Sequence, residues 1–199
     1  MWLVIQKGGY LMYPIALCSV LALAIFLERL WTYVKVRQAF RSLAHEVEPL
    51  VAKNRLDEAI ATCHKSTSPM AQVFLAALRA AGRNRDQIKV VVEETGRREA
   101  APLQRFLGLL GTIATISPLL GLLGTVLGMI RAFNVIASQG MGTPATLGGG
   151  ISEALITTAA GLTVAIPVIL AHRYLSGRLD RLIIEMEEYS FRLVDLLGE

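Results

Sequence analysis

Three long stretches almost free of charge constrain this chain more than any other feature. Residues 11–27 and 106–130 hold no charged side chain, and residues 151–171 hold one, Glu153. At helical rise the first stretch reaches about 26 Å and the second about 38 Å. The first length spans a slightly thinned hydrocarbon core, and the second crosses with tilt. A chain of 199 residues is long enough for one soluble core, but 53% of it is hydrophobic and only 18% charged. Soluble domains carry roughly 25% charge. The chain is therefore read as an all-α membrane protein with three transmembrane helices and long cytoplasmic helical extensions.

Basic residues give the orientation. Arg29, Lys35, Arg37 and Arg41 follow the first stretch, Arg97, Arg98 and Arg105 precede the second, and Arg173, Arg178 and Arg181 follow the third. The N-terminus offers only Lys7, and the second connection only Arg131. The positive-inside rule then places the N-terminus and second connection outside, with the basic segment and C-terminus inside. The expected organisation is a short periplasmic N-terminus over 1–10, a first transmembrane helix over 11–34 and a cytoplasmic helical segment over 35–105. A second transmembrane helix follows over 106–131, a periplasmic loop over 132–150, a third transmembrane helix over 151–172 and a cytoplasmic amphipathic helix over 173–199.

This reading absorbs the basic balance of 20 Lys+Arg against 16 Asp+Glu without a nucleic-acid partner. Tyr10 and Tyr13 before the first stretch, and Trp31 and Tyr33 after it, fit interfacial aromatic belts. A cleaved signal peptide would need a basic start, a shorter apolar stretch and a small-residue cleavage site. Here the run ends instead at Glu28-Arg29-Leu30-Trp31. Cys18 falls in lipid and Cys63 in reducing cytoplasm, so no disulfide is expected. Neither lies in a CxxC spacing or near a histidine cluster, which argues against a metal site.

The inner segment reads as helical around residues 56–63 and 70–81, with Asn54 and Ser68 as N-caps and Pro69 at a first helical position. The tail repeats apolar residues at Leu175, Leu179, Leu182, Ile183, Met186, Leu193, Leu196 and Leu197. That amphipathic stripe needs a covering surface, in its own chain or in a neighbouring subunit.

Within the spans, Gly111, Ala114, Pro118, Gly121, Thr125 and Gly128 share one helical face, as do Ala154, Thr158, Gly161 and Ala165 on the third helix. Small residues at this spacing let helices approach closely in lipid. Gly121, Gly124, Gly128 and Gly161 are accordingly packing residues. The stretch around Gly121-Leu122-Leu123-Gly124-Thr125 lacks the lysine and preceding strand of a phosphate loop. Thr112, Thr115, Ser117, Thr125, Thr157, Thr158 and Thr163 are many hydroxyls for lipid-embedded helices. Each can bond its own helix, and together they can line a path for an ion or water.

In an antiparallel hairpin, Arg131 meets Glu153 at the outer rim, and Thr125 meets Thr158 further in. Pro118 and Pro167 come close to level, as a hinge or as packing. Glu153 is expected either in a rim ion pair with Arg131 or in ion entry. Glu28 with Arg29 is a weaker pair at the inner interface. No soluble catalytic constellation is present, and His172 and Glu153 sit at opposite rims, so no enzyme is expected.

Residues 120–130, Leu-Gly-Leu-Leu-Gly-Thr-Val-Leu-Gly-Met-Ile, and residues 151–162, Ile-Ser-Glu-Ala-Leu-Ile-Thr-Thr-Ala-Ala-Gly-Leu, resemble the MotA/TolQ/ExbB proton channel family. The resemblance extends over nearly the whole chain, including Glu28-Arg29 and residues 59–78, and favours the three-span ExbB/TolQ branch. It implies a homopentamer around two copies of a single-span ExbD/TolR-like protein that carries an intramembrane Asp. It further implies a bacterial inner-membrane motor driven by the proton motive force, acting through a TonB/TolA-like effector on processes such as TonB-dependent uptake.

By resemblance, Thr125 and Thr158 match pore-facing threonines, and Glu153 the acidic residue at the start of the third helix. No cofactor is implied; the translocated ion is H+, with Na+ left open by Thr157 beside Thr158. The outer N-terminal segment is very short for such a protein. The rival readings are a non-conducting membrane scaffold and a small-solute transporter subunit.

Overall fold

The computed structural model describes residues 8–139 and 144–198, with side chains described for 8–138 and 148–198. Every regular element among them is helical: α1 Met12–Ala52, α2 Leu56–Lys65, α3 Pro69–Arg79, α4 Arg85–Ala100, a 3-10 turn Ala101–Gln104, α5 Leu107–Gln139 and α6 Pro144–Leu197. Three of these, α1, α5 and α6, are long and apolar enough to cross a membrane. Only 22–33% of their most apolar windows is buried within the chain, so most of that surface is left for lipid or further subunits.

The connection expected as a loop over 132–150 is largely helical instead. Helix α5 continues to Gln139 and α6 already begins at Pro144. Absence of charge and abundance of glycine suggested a loop. Residues 132–138, however, contain no glycine or proline to stop a helix, and proline is tolerated at a helix start.

The chain forms two compact units. The first comprises the described residues of Met1–Leu27 with Phe106–Tyr174. Its buried positions recur every three or four residues: Leu107, Leu110, Ile113, Ala114 and Ser117 on α5, and Ala154, Thr157, Ala165 and Val168 on α6. Met12, Ile15, Ala22 and Ile25 supply the buried stripe of α1. Of the small-residue face expected from the 3.6-residue period, Ala114, Gly121, Gly128, Ala154, Gly161 and Ala165 are buried, whereas Gly111, Pro118, Thr125 and Thr158 are half-buried.

The closest backbone approaches fall at its glycines. A Cβ on Gly161 would stand 2.6 Å from the Ser117 carbonyl oxygen, and one on Gly128 would stand 2.9 Å from that of Gly150. Helices α5 and α6 stay continuous through Pro118 and Pro167.

The second unit comprises Glu28–Arg105 and Leu175–Glu199. Its core is built on Phe40, Val47, Met70, Val73, Phe74 and Ile88, all nearly inaccessible to solvent. The expected tail stripe is covered by the chain itself: Leu175, Leu179, Leu182, Met186 and Leu193 are buried, while Leu196 is exposed. Val194 and Ser190 are buried as well, although they lie outside the expected stripe. Cys63 is buried, which pushes its thiol up to about 11, so it is protonated and inert near neutrality.

Capping explains the short inner helices. Asn54 is not the N-cap of α2, a position taken by Arg55. With φ +57, Asn54 closes α1 instead: its N–H donates to Val51 O at 2.9 Å, and that of Arg55 donates to Leu50 O at 2.9 Å. This is the paired-bond Schellman termination, and asparagine tolerates the left-handed residue it needs. Ser68 does precede α3 with Pro69 at the first position, but its hydroxyl makes no capping bond. Asn84 caps α4 by accepting from the Asp86 N–H at 3.3 Å, and Gly82, at φ +85, makes the turn before it.

The tail is also fixed by charge. Arg37 Nη2 donates to Glu185 Oε1 at 2.5 Å, and Arg41 lies 3.6 Å from the same oxygen. The hydrogen bond from Arg37 and the attraction of both guanidiniums hold the Glu185 carboxyl below its ordinary 4.5, against partial burial. A carboxylate with a lowered folded-state pKa stabilises above its unfolded value, and that contribution is lost as pH falls through the folded value. In thermal melts followed by circular dichroism, the Glu185→Gln variant should melt below the parent at pH 7. The gap should close as pH drops below about 4.5. A gap unchanged by pH would show that the charge of Glu185 is not what stabilises.

Candidate functional site

The threonines of the α5–α6 hairpin separate by what they bond. Thr112, Thr115 and Thr163 donate to the carbonyls of Gly108, Gly111 and Ala159 at 2.9, 3.1 and 2.7 Å, each four residues back on its own helix. Ser117 does the same to Ile113 O at 2.8 Å. These hydroxyls are satisfied locally at little cost. Thr157 and Thr158 reach further.

Thr158 donates across the hairpin to Gly121 O at 3.0 Å, and Thr125 donates within α5 to Leu122 O at 2.6 Å. The two hydroxyls expected at one depth thus sit on consecutive carbonyls of α5. Gly121 makes this possible, since a Cβ there would lie 3.1 Å from Thr158 Cα. Thr157 is buried, with Gly8 O at 2.9 Å and Glu153 O at 2.8 Å as acceptors. Its side chain stands against Gly124. Each hydroxyl spends its proton on a carbonyl, which leaves oxygen lone pairs that can accept from water or contact a cation.

At one end of the hairpin, Arg131 Nη1 donates to Glu153 Oε1 at 2.6 Å, the ion pair expected from the sequence. Arg131 also lies over the Tyr10 ring, 5.9 Å from its centroid. Gly9 packs against the Glu153 carboxylate so closely that a Cβ would collide with it, and its φ of +69 lies in the left-handed region that favours glycine. Sequence reasoning misses this role of Gly8 and Gly9; the paired glycines before Tyr10 are the signal that could have found it.

Midway along α1, Arg29 binds Glu28 through Nε at 2.5 Å and Nη2 at 2.7 Å. Its Nη1 also lies 3.4 Å from Pro102 O and 3.5 Å from Leu103 O, and the Tyr33 hydroxyl donates to Leu103 O at 2.9 Å. The pair is thus a clamp on the Ala101–Gln104 turn, a positioning role that adjacent charges in a sequence do not reveal.

Comparison with known proteins agrees with this architecture. The MotA/TolQ/ExbB proton channel family matches over residues 65–188. The chain is 38% identical to an ExbB-like biopolymer transport protein of a Synechocystis species, over 83% of this chain and 80% of that one. It is 31% identical to the Tol-Pal system protein TolQ of Pseudomonas aeruginosa, over 81% of this chain and 68% of the relative. It is 33% identical to the biopolymer transport protein exbB1 of Vibrio cholerae, over 92% of this chain and 82% of the relative. With three apolar helices long enough to cross a bilayer and these relatives, the chain belongs to the MotA/TolQ/ExbB proton channel family, in its ExbB/TolQ branch.

Proposed function

We propose that this chain is the channel-type, stator-like subunit of an inner-membrane motor, five copies enclosing two copies of a single-span ExbD/TolR-like protein. The proton motive force would be spent as protons pass the intramembrane Asp of that partner. The resulting motion would reach a TonB/TolA-like effector and energise an envelope process such as TonB-dependent uptake. In this reading the N-terminus lies in the periplasm and the C-terminus in the cytoplasm, an orientation supported by the basic flanks.

The observation that carries this reading is the pairing of Thr158 and Thr125 with consecutive α5 carbonyls, inward of the Arg131–Glu153 pair, in a proton-channel family member. The hydroxyl oxygens retain acceptor capacity, so they can relay a proton or replace part of the hydration shell of Na+. Arg131 and Glu153 stand at the periplasmic entrance in this reading.

One observation favours a second reading, a non-conducting scaffold: every one of these hydroxyls already donates to a carbonyl. Native mass spectrometry of the full chain co-expressed with an ExbD/TolR-type protein separates the two. Five copies holding two of the partner are expected. An assembly of this chain alone, retaining no partner under mild extraction, would move the assignment to the scaffold.

A further inference from the structure

Within the second unit, the α1 segment just past its apolar run and the early tail of α6 enclose a cavity of about 280 Å³. Its charge is one-sided. Arg37, Arg41, Arg178 and Arg181 line it, against a single carboxylate, Glu185. That carboxylate is engaged by Arg37 at 2.5 Å with Arg41 at 3.6 Å, so the lining keeps a surplus of three positive charges. Such a surplus around a concave site is an anion receptor.

Gln38 adds an uncharged polar group, and the rest of the wall is largely apolar: Leu30, Tyr33, Val34 and Leu182. Leu30, Tyr33 and Val34 belong to the segment read as membrane-embedded, whereas the arginines lie in the flanking segments. Val34 is 50% exposed, and Trp31 beside it is 67% exposed with the Lys35 ammonium 5.2 Å from its ring centroid. Exposed aromatic and basic residues of this kind mark the headgroup level of a bilayer.

We propose that this cavity binds the phosphate headgroup of an anionic phospholipid of the cytoplasmic leaflet, its acyl chains leaving along the exposed apolar face of α1. The volume lies just under the roughly 300 Å³ at which pockets for drug-sized molecules begin; it admits a headgroup and not a whole lipid. A soluble phosphate compound would use the arginines but have no need of an apolar wall at the end of a membrane span. Basic pockets beside membrane helices on the cytoplasmic side are where anionic lipid heads bind. The guanidinium fork suits a phosphate's paired oxygens.

The test is native mass spectrometry of the delipidated full-length protein titrated with phosphatidylglycerol, phosphatidylcholine or inorganic phosphate. The parent should retain phosphatidylglycerol and not phosphatidylcholine. The Arg41→Gln/Arg181→Gln double variant, which leaves the Arg37–Glu185 pair intact, should lose about thirtyfold in affinity, given the usual worth of two basic side chains at an anionic surface. Arg173→Gln, exposed in the same flank but outside the cavity, should change it less than about twofold. The Arg41→Lys/Arg181→Lys variant should recover most of the affinity, showing that the loss is one of charge and not of folding. Equal losses in the double variant and Arg173→Gln would overturn the site in favour of general surface charge. Unchanged binding in the double variant would leave the cavity to a neighbouring subunit. Inorganic phosphate that binds alone and displaces the lipid would reassign the site to a soluble anion.

Discussion

Replacing Gly161 with valine should prevent stable assembly of the hairpin. A Cβ at this position would stand 2.6 Å from the Ser117 carbonyl oxygen and 3.0 Å from Gly121 Cα, and both obstacles are backbone. No side chain can swing aside, so α5 and α6 must separate. Separation forfeits the close van der Waals packing that holds helices together in lipid, where little hydrophobic drive replaces it. The cost should reach the upper end of overpacking penalties, about 3 kcal/mol or more. Thermal melts and size-exclusion profiles in mild detergent would register it as a lowered midpoint and an altered elution. Gly161→Ala should show the same trend more weakly. A valine variant with the parent's melting point and elution would mean that the helices do not depend on this approach.

On the proposed function, Thr158→Val should leave the protein folded and strongly reduce proton-driven activity. Valine matches threonine in shape, and the Gly121 carbonyl lies within a continuous helix, so stability should fall by only about 1 kcal/mol. Any transfer step that uses the hydroxyl instead loses a polar group in a dry environment. A penalty of about 1–3 kcal/mol on that barrier corresponds to roughly 5–150-fold in flux. Proton uptake into proteoliposomes holding the complex with its single-span partner measures this directly. Thr163→Val is the matched control, since Thr163 donates only to Ala159 O on its own helix. Equal, small effects of both substitutions would reduce Thr158 to a packing residue.

Much of the site is legible in the amino-acid sequence. The Arg131–Glu153 pair follows from folding two uncharged runs back on each other, because a charge beside a span needs a partner. The small face of Gly121, Gly128, Ala154 and Gly161 follows from its period and packs inward at the hairpin. The individual close approaches do not follow, such as Gly161 against the Ser117 carbonyl or Gly121 against Thr158. Hydropathy locates a span but says little about how far one helix slides along another.

The sequence by itself determined three apolar spans, a helical inner segment and an amphipathic tail, because uncharged length and 3.6-residue periodicity are local properties. It also carried the family resemblance, which lies in contiguous residues. Only the tertiary structure decided that Thr158 bonds Gly121, that Arg29 clamps the Ala101–Gln104 turn and that Arg37 reaches Glu185 across 148 positions. It also decided that Phe106 enters α5 from a left-handed conformation, φ +67, which no propensity assigns to a bulky residue. The three contacts depend on which distant groups the packing brings within about 3 Å, the reach of a hydrogen bond. That is fixed by the register and approach of whole helices and by no residue's own preference.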